Sequence, residues 1–102
     1  MNITVLTPER AIFEGPIESV KVPGTNGEFQ VLKNHAPIVS ALEEGKITIV
    51  TAAGKYTYWD KEAEEFAEAE GAGKKLVYNV DGGFIEVLNN EVSLLIAGTT
   101  EE

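Results

Sequence analysis

The sequence has no cysteine, a single histidine and only 8 basic residues among 102, and each shortage excludes a class of function. Without cysteine the chain has no disulfide, no thiolate metal site and no cysteine nucleophile. The 17 acidic residues give a formal net charge of −9, which disfavours direct binding to nucleic acid or to an anionic lipid surface. We therefore expect neither of these as a partner.

Long apolar runs are also missing. No stretch approaches the roughly 20 apolar residues that a membrane-spanning helix needs. Residues 1–7 lack the basic start and the apolar core of a signal peptide. Hydrophobic residues nevertheless make up 43% of the chain, which is enough to build the core of one compact domain. We predict that this domain covers residues 1–98 and that a polar tail follows at 99–102.

Short alternating runs of apolar and polar residues dominate the chain and indicate antiparallel strands. Such runs occupy residues 2–5, 19–22, 28–31, 46–49, 56–58, 76–80, 85–87 and 92–96. Turn residues separate them, and Asn89-Asn90 suits a two-residue hairpin because asparagine tolerates positive φ. Eight or more short strands predict an all-β fold, either two sheets packed face to face or a barrel.

The segment Asp60–Glu70 has a different composition. It holds six acids and one base, a net charge of −5, and it is rich in alanine and glutamate, which are good helix formers. Asp60 is suited to the N-cap of a short helix and Gly71 to its end, with Phe66 docking on the strands. The alternative is a solvated acidic loop between two strands, and the composition does not decide between the two.

No active site is evident in the sequence. His35 has no partner pattern of a hydrolytic triad, and no serine lies in a nucleophile-elbow context. No spacing of ligands supports a zinc site, and the loop Gly24–Gly27 lacks the lysine and the hydroxyl of a phosphate-binding loop. We therefore predict a binding or structural module without cofactor or metal. A small hydrolase that uses carboxylates is the least favoured alternative.

The stretch Val22–Phe29, followed by Asn34-His35-Ala36-Pro37, resembles the hallmark of the epsilon subunits of rotary (F-type) ATP synthases. Two further pieces are similar to that family: the opening Thr7–Gly15 and the later Gly82–Val87, which precedes a strand at 92–97. The resemblance covers residues 2 to about 51 and about 77 to 98. The pieces occur in the family's order and near its spacing, which makes the resemblance specific.

The resemblance implies a flattened β-sandwich of about ten antiparallel strands. It also implies a non-catalytic subunit in the central stalk of the proton-translocating ATP synthase, packed on the gamma subunit and on the c-ring, where it couples ion flow to ATP synthesis. Such a subunit is peripheral, on the cytoplasmic side of the cell inner membrane, without direct lipid insertion, and monomeric when isolated. A free-standing β-sandwich module that binds a ligand or a peptide is the alternative.

The resemblance also implies contact residues. Those expected to contact the c-ring are Gly27, Glu28, Phe29, Gln30 and His35. Those expected to contact the gamma subunit are His35, Ala36, Pro37 and Leu42. From the residues alone, Glu28 is also compatible with a solvated glutamate at a strand end, and His35 with a turn histidine bonded to local backbone.

Three features depart from the family pattern. Gln30 stands where the family usually has glycine, so the loop that faces the ring is expected to differ in shape. The segment at about 59–75 is longer than is typical, an atypical acidic insert. Family members commonly continue into a two-helix C-terminal domain that inhibits ATP hydrolysis, and we expect no such domain within these 102 residues. Self-inhibition by that route and nucleotide binding are therefore not implied.

Overall fold

The computed structural model describes the backbone of residues 1–101 and the side chains of residues 1–98. The described chain forms nine β-strands and no helix, which confirms the all-β prediction with nine strands where about ten were expected. The strands are β1 (Asn2–Leu6), β2 (Ala11–Gly24), β3 (Gly27–Leu32), β4 (Ile38–Leu42), β5 (Gly45–Thr51), β6 (Lys55–Asp60), β7 (Glu65–Glu70), β8 (Lys75–Leu88) and β9 (Glu91–Glu101). β9 thus continues through residues 99–101, which the sequence had suggested as a tail.

The strands form one hydrogen-bonded network in the order β1-β9-β8-β4-β2-β6-β7, with β3 on β2 and β5 between β2 and β8. Because β1 also pairs with β2, the network closes on itself, and the domain measures 36 × 27 × 19 Å. This is a flattened sandwich whose two layers are joined at their edges. Each pairing is antiparallel except that of β1 with β9, which is parallel. The alternation of apolar and polar residues along a strand does not show whether its neighbour runs parallel or antiparallel to it, so the sequence did not reveal this exception.

The two longest strands, β2 and β8, connect the layers because each changes partners along its length. β2 pairs with β6 at Phe13 and with β5 from Ile17 onward. β8 pairs with β5 up to Val80 and with β4 from Gly83. The change of partner in β8 falls at Gly82-Gly83, where φ is 153° and 151°, values that L side chains rarely adopt. These glycines therefore serve the backbone geometry.

The core is built by the inward-facing residues of the alternating runs, since successive side chains of a strand point to opposite faces. Its fully buried members are Ile3, Val5, Phe13, Val20, Val22, Val31, Ile47, Ile49, Ile85, Val87, Val92 and Leu94. Their burial is the main favourable term in the stability of the domain. The hairpin turn at Asn89-Asn90 is also as predicted, with both residues at positive φ of 50° and 63°.

The prediction of a helix at 60–70 is wrong, and so is the alternative of a loop. Asp60 does cap a turn, because its Oδ1 accepts hydrogen bonds from the N–H groups of Glu62 at 3.0 Å and Ala63 at 3.2 Å. The chain then reverses at Glu64, where φ is 54°, and Glu65–Glu70 pairs with β6. A helix of this length is marginal alone in water, whereas the hairpin gives six residues cross-strand partners.

Thr51 fixes the connection between β7 and β8. Its side chain is fully buried, and its hydroxyl donates to the carbonyl oxygen of Gly71 at 2.7 Å and accepts from the N–H of Lys74 at 3.0 Å. The backbone N–H of Thr51 also donates to the carbonyl oxygen of Lys74 at 2.9 Å. Thr51 therefore fixes the connection from β7 to β8 against the end of β5.

Replacing Thr51 with valine is expected to lower the free energy of unfolding by about 1 to 2 kcal/mol, because the shape is kept while both hydroxyl hydrogen bonds are lost. Urea unfolding followed by circular dichroism measures the change. Thr48→Val in the same strand is the matched control and is expected to stay within about 0.5 kcal/mol of the natural chain. Equal unfolding midpoints for the two variants would contradict the role given to Thr51.

Candidate partner-binding surface

The hairpin tip, Gly24–Gln30, is formed where β2 turns into β3. Gly24 pairs with Gly27 across the two-residue turn Thr25-Asn26, and Gly27 has φ of 120°, which favours glycine. Gly27, Glu28 and Gln30 are exposed, and Phe29 is half-buried against the core. The structure therefore brings four predicted contact residues together on an accessible projection.

Glu28 carries the charge of the hairpin tip. Its carboxylate lies 4.0 Å from Nζ of Lys21, with side-chain exposures of 61% and 47%. An ion pair that is so long and so exposed contributes little to stability. Glu28 consequently remains available to a basic or polar group of another molecule.

His35 lies in the turn between β3 and β4 and is half-buried. Its Nδ1 lies 2.7 Å from the carbonyl oxygen of Ala36, and its backbone N–H donates to the carbonyl oxygen of Leu32 at 3.1 Å. Because a carbonyl oxygen only accepts, Nδ1 carries the proton in this contact. Within the chain, His35 is therefore a turn histidine bonded to local backbone.

Asn34 and Asn90 hold this turn against the hairpin of β8 and β9. The N–H of Asn34 donates to Oδ1 of Asn90 at 2.6 Å, and Nδ2 of Asn90 donates to Oδ1 of Asn34 at 3.0 Å. Asn34 also has φ of 66°, a conformation that asparagine tolerates. The reciprocal pair fixes where His35, Ala36 and Pro37 stand relative to β8.

Leu42 does not join Ala36 and Pro37 on the surface. Ala36 and Pro37 are exposed, whereas Leu42 is 6% exposed and belongs to the core. Alternation along β4 turns Leu42 inward and Val39 outward, and Val39 is 72% exposed. Leu42, which was expected to contact the gamma subunit, is thus a core residue in this structure, and the large apolar side chain that β4 exposes is that of Val39. The strand Ile38–Leu42 has large apolar residues on both of its faces, so the sequence did not show which face packs on the core.

An outer apolar patch, which the sequence analysis missed, continues from Val39 across the next strands. It consists of Val39, Phe84, Leu88 and Leu95, which are 72%, 57%, 51% and 53% exposed. Phe84 lies opposite Ala41 on β4 and opposite Leu95 on β9, which places these residues on one face of the sheet. Glu86 is also exposed on this face, opposite Val39 and between Phe84 and Leu88, so the patch contains one carboxylate. A shallow groove of about 250 Å³ runs beside Pro37, Val39, Glu86 and Leu88. The sequence does contain a sign of this patch. The consecutive apolar residues Val87-Leu88 and Leu94-Leu95 each put one apolar side chain on either face of their strand.

A second feature lies at the other end of β2, beside the hairpin of β6 and β7. The ring of Trp59 stacks under the guanidinium of Arg10, with 4.0 Å from Cζ to the ring centroid, and meets Phe66 edge-on at 5.1 Å. Trp59 and Arg10 border an open cavity of about 490 Å³ that Lys61 and Glu64 also line. Because charges of both signs line the cavity, it does not select for one class of small ligand.

The described residues include no group of three or more histidine, aspartate or glutamate side chains arranged to hold a metal ion. A helix of the length and apolar character needed to cross a membrane is likewise absent from the described chain. The prominent surface features are therefore the hairpin tip, the outer apolar patch and the aromatic end of β6 and β7.

Comparison with known proteins agrees with this architecture. Residues 1–61 match the family model of the ATP synthase Delta/Epsilon chain, beta-sandwich domain. The ATP synthase epsilon chain of Chlorobaculum tepidum is 36% identical over 92% of this chain and 85% of its own length. That of Caulobacter vibrioides is 31% identical over 99% of this chain and 94% of its own length.

Other relatives are longer. The ATP synthase epsilon chain of Salinibacter ruber is 30% identical over 93% of this chain, which spans only 56% of that protein. Among solved structures, a chain of the Euglena gracilis mitochondrial ATP synthase superposes with a TM-score of 0.72 at 20% identity, over 97% of this chain and 51% of its own. A chain of the central stalk and c-ring of the Tetrahymena thermophila enzyme gives 0.66 at 13% identity, over 98% and 65%. These structural likenesses concern the fold.

The family match and the relatives of similar length agree on one assignment. They confirm the predicted resemblance, and with it the prediction of an ATP synthase subunit rather than an enzyme in its own right. The chain belongs to the ATP synthase epsilon-chain family, and its nine strands form the β-sandwich domain of that family.

Proposed function

We propose that this chain is a non-catalytic subunit of the central stalk of a proton-translocating ATP synthase. In this role it packs on the gamma subunit, rests on the c-ring and couples ion flow to ATP synthesis. It lies at the cytoplasmic side of the inner membrane as a peripheral part of the complex. The observation that carries the proposal is a rigid sandwich of this family with two separate exposed surfaces, one apolar and one polar.

The outer apolar patch supports packing on the gamma subunit. Four large apolar side chains, each more than half exposed, lie around Glu86 on one face and form a mainly apolar surface that is favourable at a protein interface. Pro37 and Ala36 extend this surface at its edge, and the Asn34–Asn90 pair fixes their position. The proposed gamma contact therefore consists of His35, Ala36 and Pro37 together with the patch, with Val39 in the place of Leu42.

The hairpin tip supports a contact with the c-ring. It is accessible, held by the short β2–β3 ladder, and presents Glu28 beside Gln30. A carboxylate at this position suits polar or basic loops on the ring, and such complementarity fixes orientation more than it adds affinity. A polar tip and an apolar face on one rigid domain allow the two partners to be held at once, which the transmission of rotation requires.

The isolated chain is proposed to be a monomer without direct insertion into lipid. Its net charge of −9 opposes both association with further copies and contact with anionic lipid. The patch is then covered only in the assembled enzyme.

Co-purification tests the proposed function. A tagged chain, expressed in cells in place of the natural copy and extracted from membranes in mild detergent, is expected to recover the gamma subunit, the catalytic subunits and the c-ring. Recovery of none of these subunits, from membranes whose ATP synthase is intact, would overturn the proposal. A tagged, unrelated β-sandwich of similar charge controls for nonspecific capture.

Glu28→Lys is expected to reduce ATP-driven proton pumping by inverted membranes while the fold is kept, because the reversed charge meets the partner for which the carboxylate is suited. The stability of the isolated chain is expected to change by only about 0.5 kcal/mol, since the site is exposed. Fluorescence quenching of a pH-sensitive dye measures the pumping.

Glu62→Lys is the matched control for this variant, because it changes the charge equally in the exposed turn near Asp60, at the opposite end of β2. It is expected to pump as the natural enzyme does. Pumping that is equal in the two variants and in the natural enzyme would remove Glu28 from the proposed contact.

A further inference from the structure

The strand β7 ends the hydrogen-bonded network. In the pairings of the described residues it is bonded to β6 alone, through the register from Lys55–Glu70 to Asp60–Glu65. Its other edge therefore presents backbone N–H and C=O groups that no other strand covers. An edge of this kind is a template on which another extended chain can add a strand.

The side chains of β7 divide between two faces. Ala67 and Ala69 lie opposite Tyr58 and Tyr56 on the side of the core, and Ala69 packs against it. Alternation places Phe66, Glu68 and Glu70 on the outer face. The outer face of this edge thus consists of one aromatic residue followed by two carboxylates at a spacing of two.

Phe66 is exposed, but its ring is held in place by neighbouring side chains. It is 54% exposed, yet its ring meets Trp59 edge-on at 5.1 Å, and Trp59 is in turn covered by the guanidinium of Arg10 at 4.0 Å. Aromatic contacts of this geometry hold a ring in place beyond what the buried area alone provides. A residue placed beside Phe66 would therefore meet a preformed apolar surface.

The charge around this edge selects the kind of chain that fits it. Asp60–Glu70 carries six acids against one base, so a second copy of β7 would place like charges side by side, which is destabilising across a strand pair. A strand with lysine or arginine at alternate positions places opposite charges there instead. The acidic edge accordingly disfavours pairing with itself and favours a basic partner.

We propose that the free edge of β7 binds an extended basic segment of another protein by adding it as an antiparallel strand. Antiparallel pairing puts basic residues opposite Glu70 and Glu68 and an apolar residue opposite Phe66, in the order basic, any, basic, any, apolar. The site lies at the end of β2 away from the hairpin tip, so its occupation does not depend on the proposed function.

The purified chain and a synthetic probe test this proposal. The probe is the peptide Thr-Lys-Thr-Lys-Thr-Phe-Thr, and a peptide with glutamate in place of both lysines is its control. Calorimetry is expected to show binding of the lysine peptide that weakens as salt is added, and hydrogen exchange is expected to slow at amides of β7. Absence of binding at about 1 mM lysine peptide, the range of a weak interaction, would overturn the proposal.

Two charge-matched double variants locate the site. Glu68→Lys with Glu70→Lys is expected to weaken binding by about tenfold or more, because two attractive cross-strand pairs become repulsive. Glu43→Lys with Glu44→Lys changes the net charge equally in the exposed connection of β4 and β5 and is expected to change binding by about twofold at most in physiological salt. Equal losses in both variants, with circular dichroism showing both folded, would mean that net charge alone attracts the peptide and would overturn the site.

Backbone methylation separates strand addition from charge attraction. Two versions of the probe carry backbone N-methyl groups on alternate residues. One version is methylated at the odd-numbered positions of the peptide and the other at the even-numbered positions. A strand added to one edge uses the N–H groups of one phase only, so one version is expected to lose binding while the other keeps it. Retention of full affinity by both versions would show that no strand is formed and would overturn the proposal.

Discussion

Replacing Phe84 with aspartate is expected to weaken the proposed complex with the gamma subunit by at least about 100-fold, because a large apolar contact is lost and a second carboxylate beside Glu86 is desolvated in the interface. Phe84 is 57% exposed in the isolated chain and stands between Ala41 and Leu95 in the outer apolar patch. The variant is expected to fold normally, since the side chain contributes little to the core. Surface plasmon resonance with the catalytic head that contains gamma measures the affinity.

Phe66→Asp is the matched control, because Phe66 is exposed to a similar extent, 54%, but lies on β7 outside the patch. It is expected to leave the affinity for the gamma subunit within about twofold of the natural value. Phe84→Leu, which keeps an apolar side chain, is expected to restore most of the binding. Equal affinities of the Phe84→Asp and Phe66→Asp variants would place the gamma contact somewhere other than the patch.

The strands were predictable from the sequence wherever one face is apolar and the other polar. The runs around Ile47 and Ile49 and around Val92 and Leu94 follow this pattern, and all four residues are fully or nearly fully buried. The turn at Asn89-Asn90 was predictable because few residues tolerate positive φ. In these cases a local property of the residues decides the local structure.

The hairpin of β6 and β7 was not predictable in this way. Alanine and glutamate favour helices by only a few tenths of a kcal/mol each, and this preference is overridden when a strand finds a partner. Here the partner is β6, which brings Trp59 to Phe66 and Tyr58 to Ala67. The decisive contacts lie across the turn, and composition within the segment does not reveal them.

The same difference between local and long-range contacts applies to the candidate surface. The proposed contact residues of the hairpin tip, from Gly27 to Gln30, were available from the resemblance to the epsilon-subunit family, because they lie in one continuous run of the sequence. The outer apolar patch was missed because it joins β4 to the hairpin of β8 and β9, which is distant from β4 in the sequence. A strand with apolar residues on both faces, such as Ile38–Leu42, does not show from its own sequence which face packs on the core, because that depends on the register with β8.

Gly83 pairs with Ile96 of β9, next to the pair of Phe84 and Leu95 in the outer apolar patch. Gly83→Ala is expected to destabilise the domain strongly. A Cβ atom there would run into the carbonyl oxygen of Leu95 and would lie 3.0 Å from Cα of Ile96. Both atoms belong to the backbone of β9, which pairs with Gly83, so β9 has to move away. That movement disturbs the burial of Leu94 and Ile96.

The free energy of unfolding is expected to fall by about 4 kcal/mol in Gly83→Ala, the combined effect of strain at φ of 151° and of a clash with backbone. Gly27→Ala separates these causes, because Gly27 also has a φ that favours glycine, 120°, but a Cβ there meets no atom within 4 Å. It is expected to cost only about 1 kcal/mol, through strain alone. Urea unfolding of both variants measures the difference. Similar losses in the two would show that β9 yields easily at Leu95, and the close approach of β8 and β9 would then contribute little to holding Phe84 and Leu95 side by side.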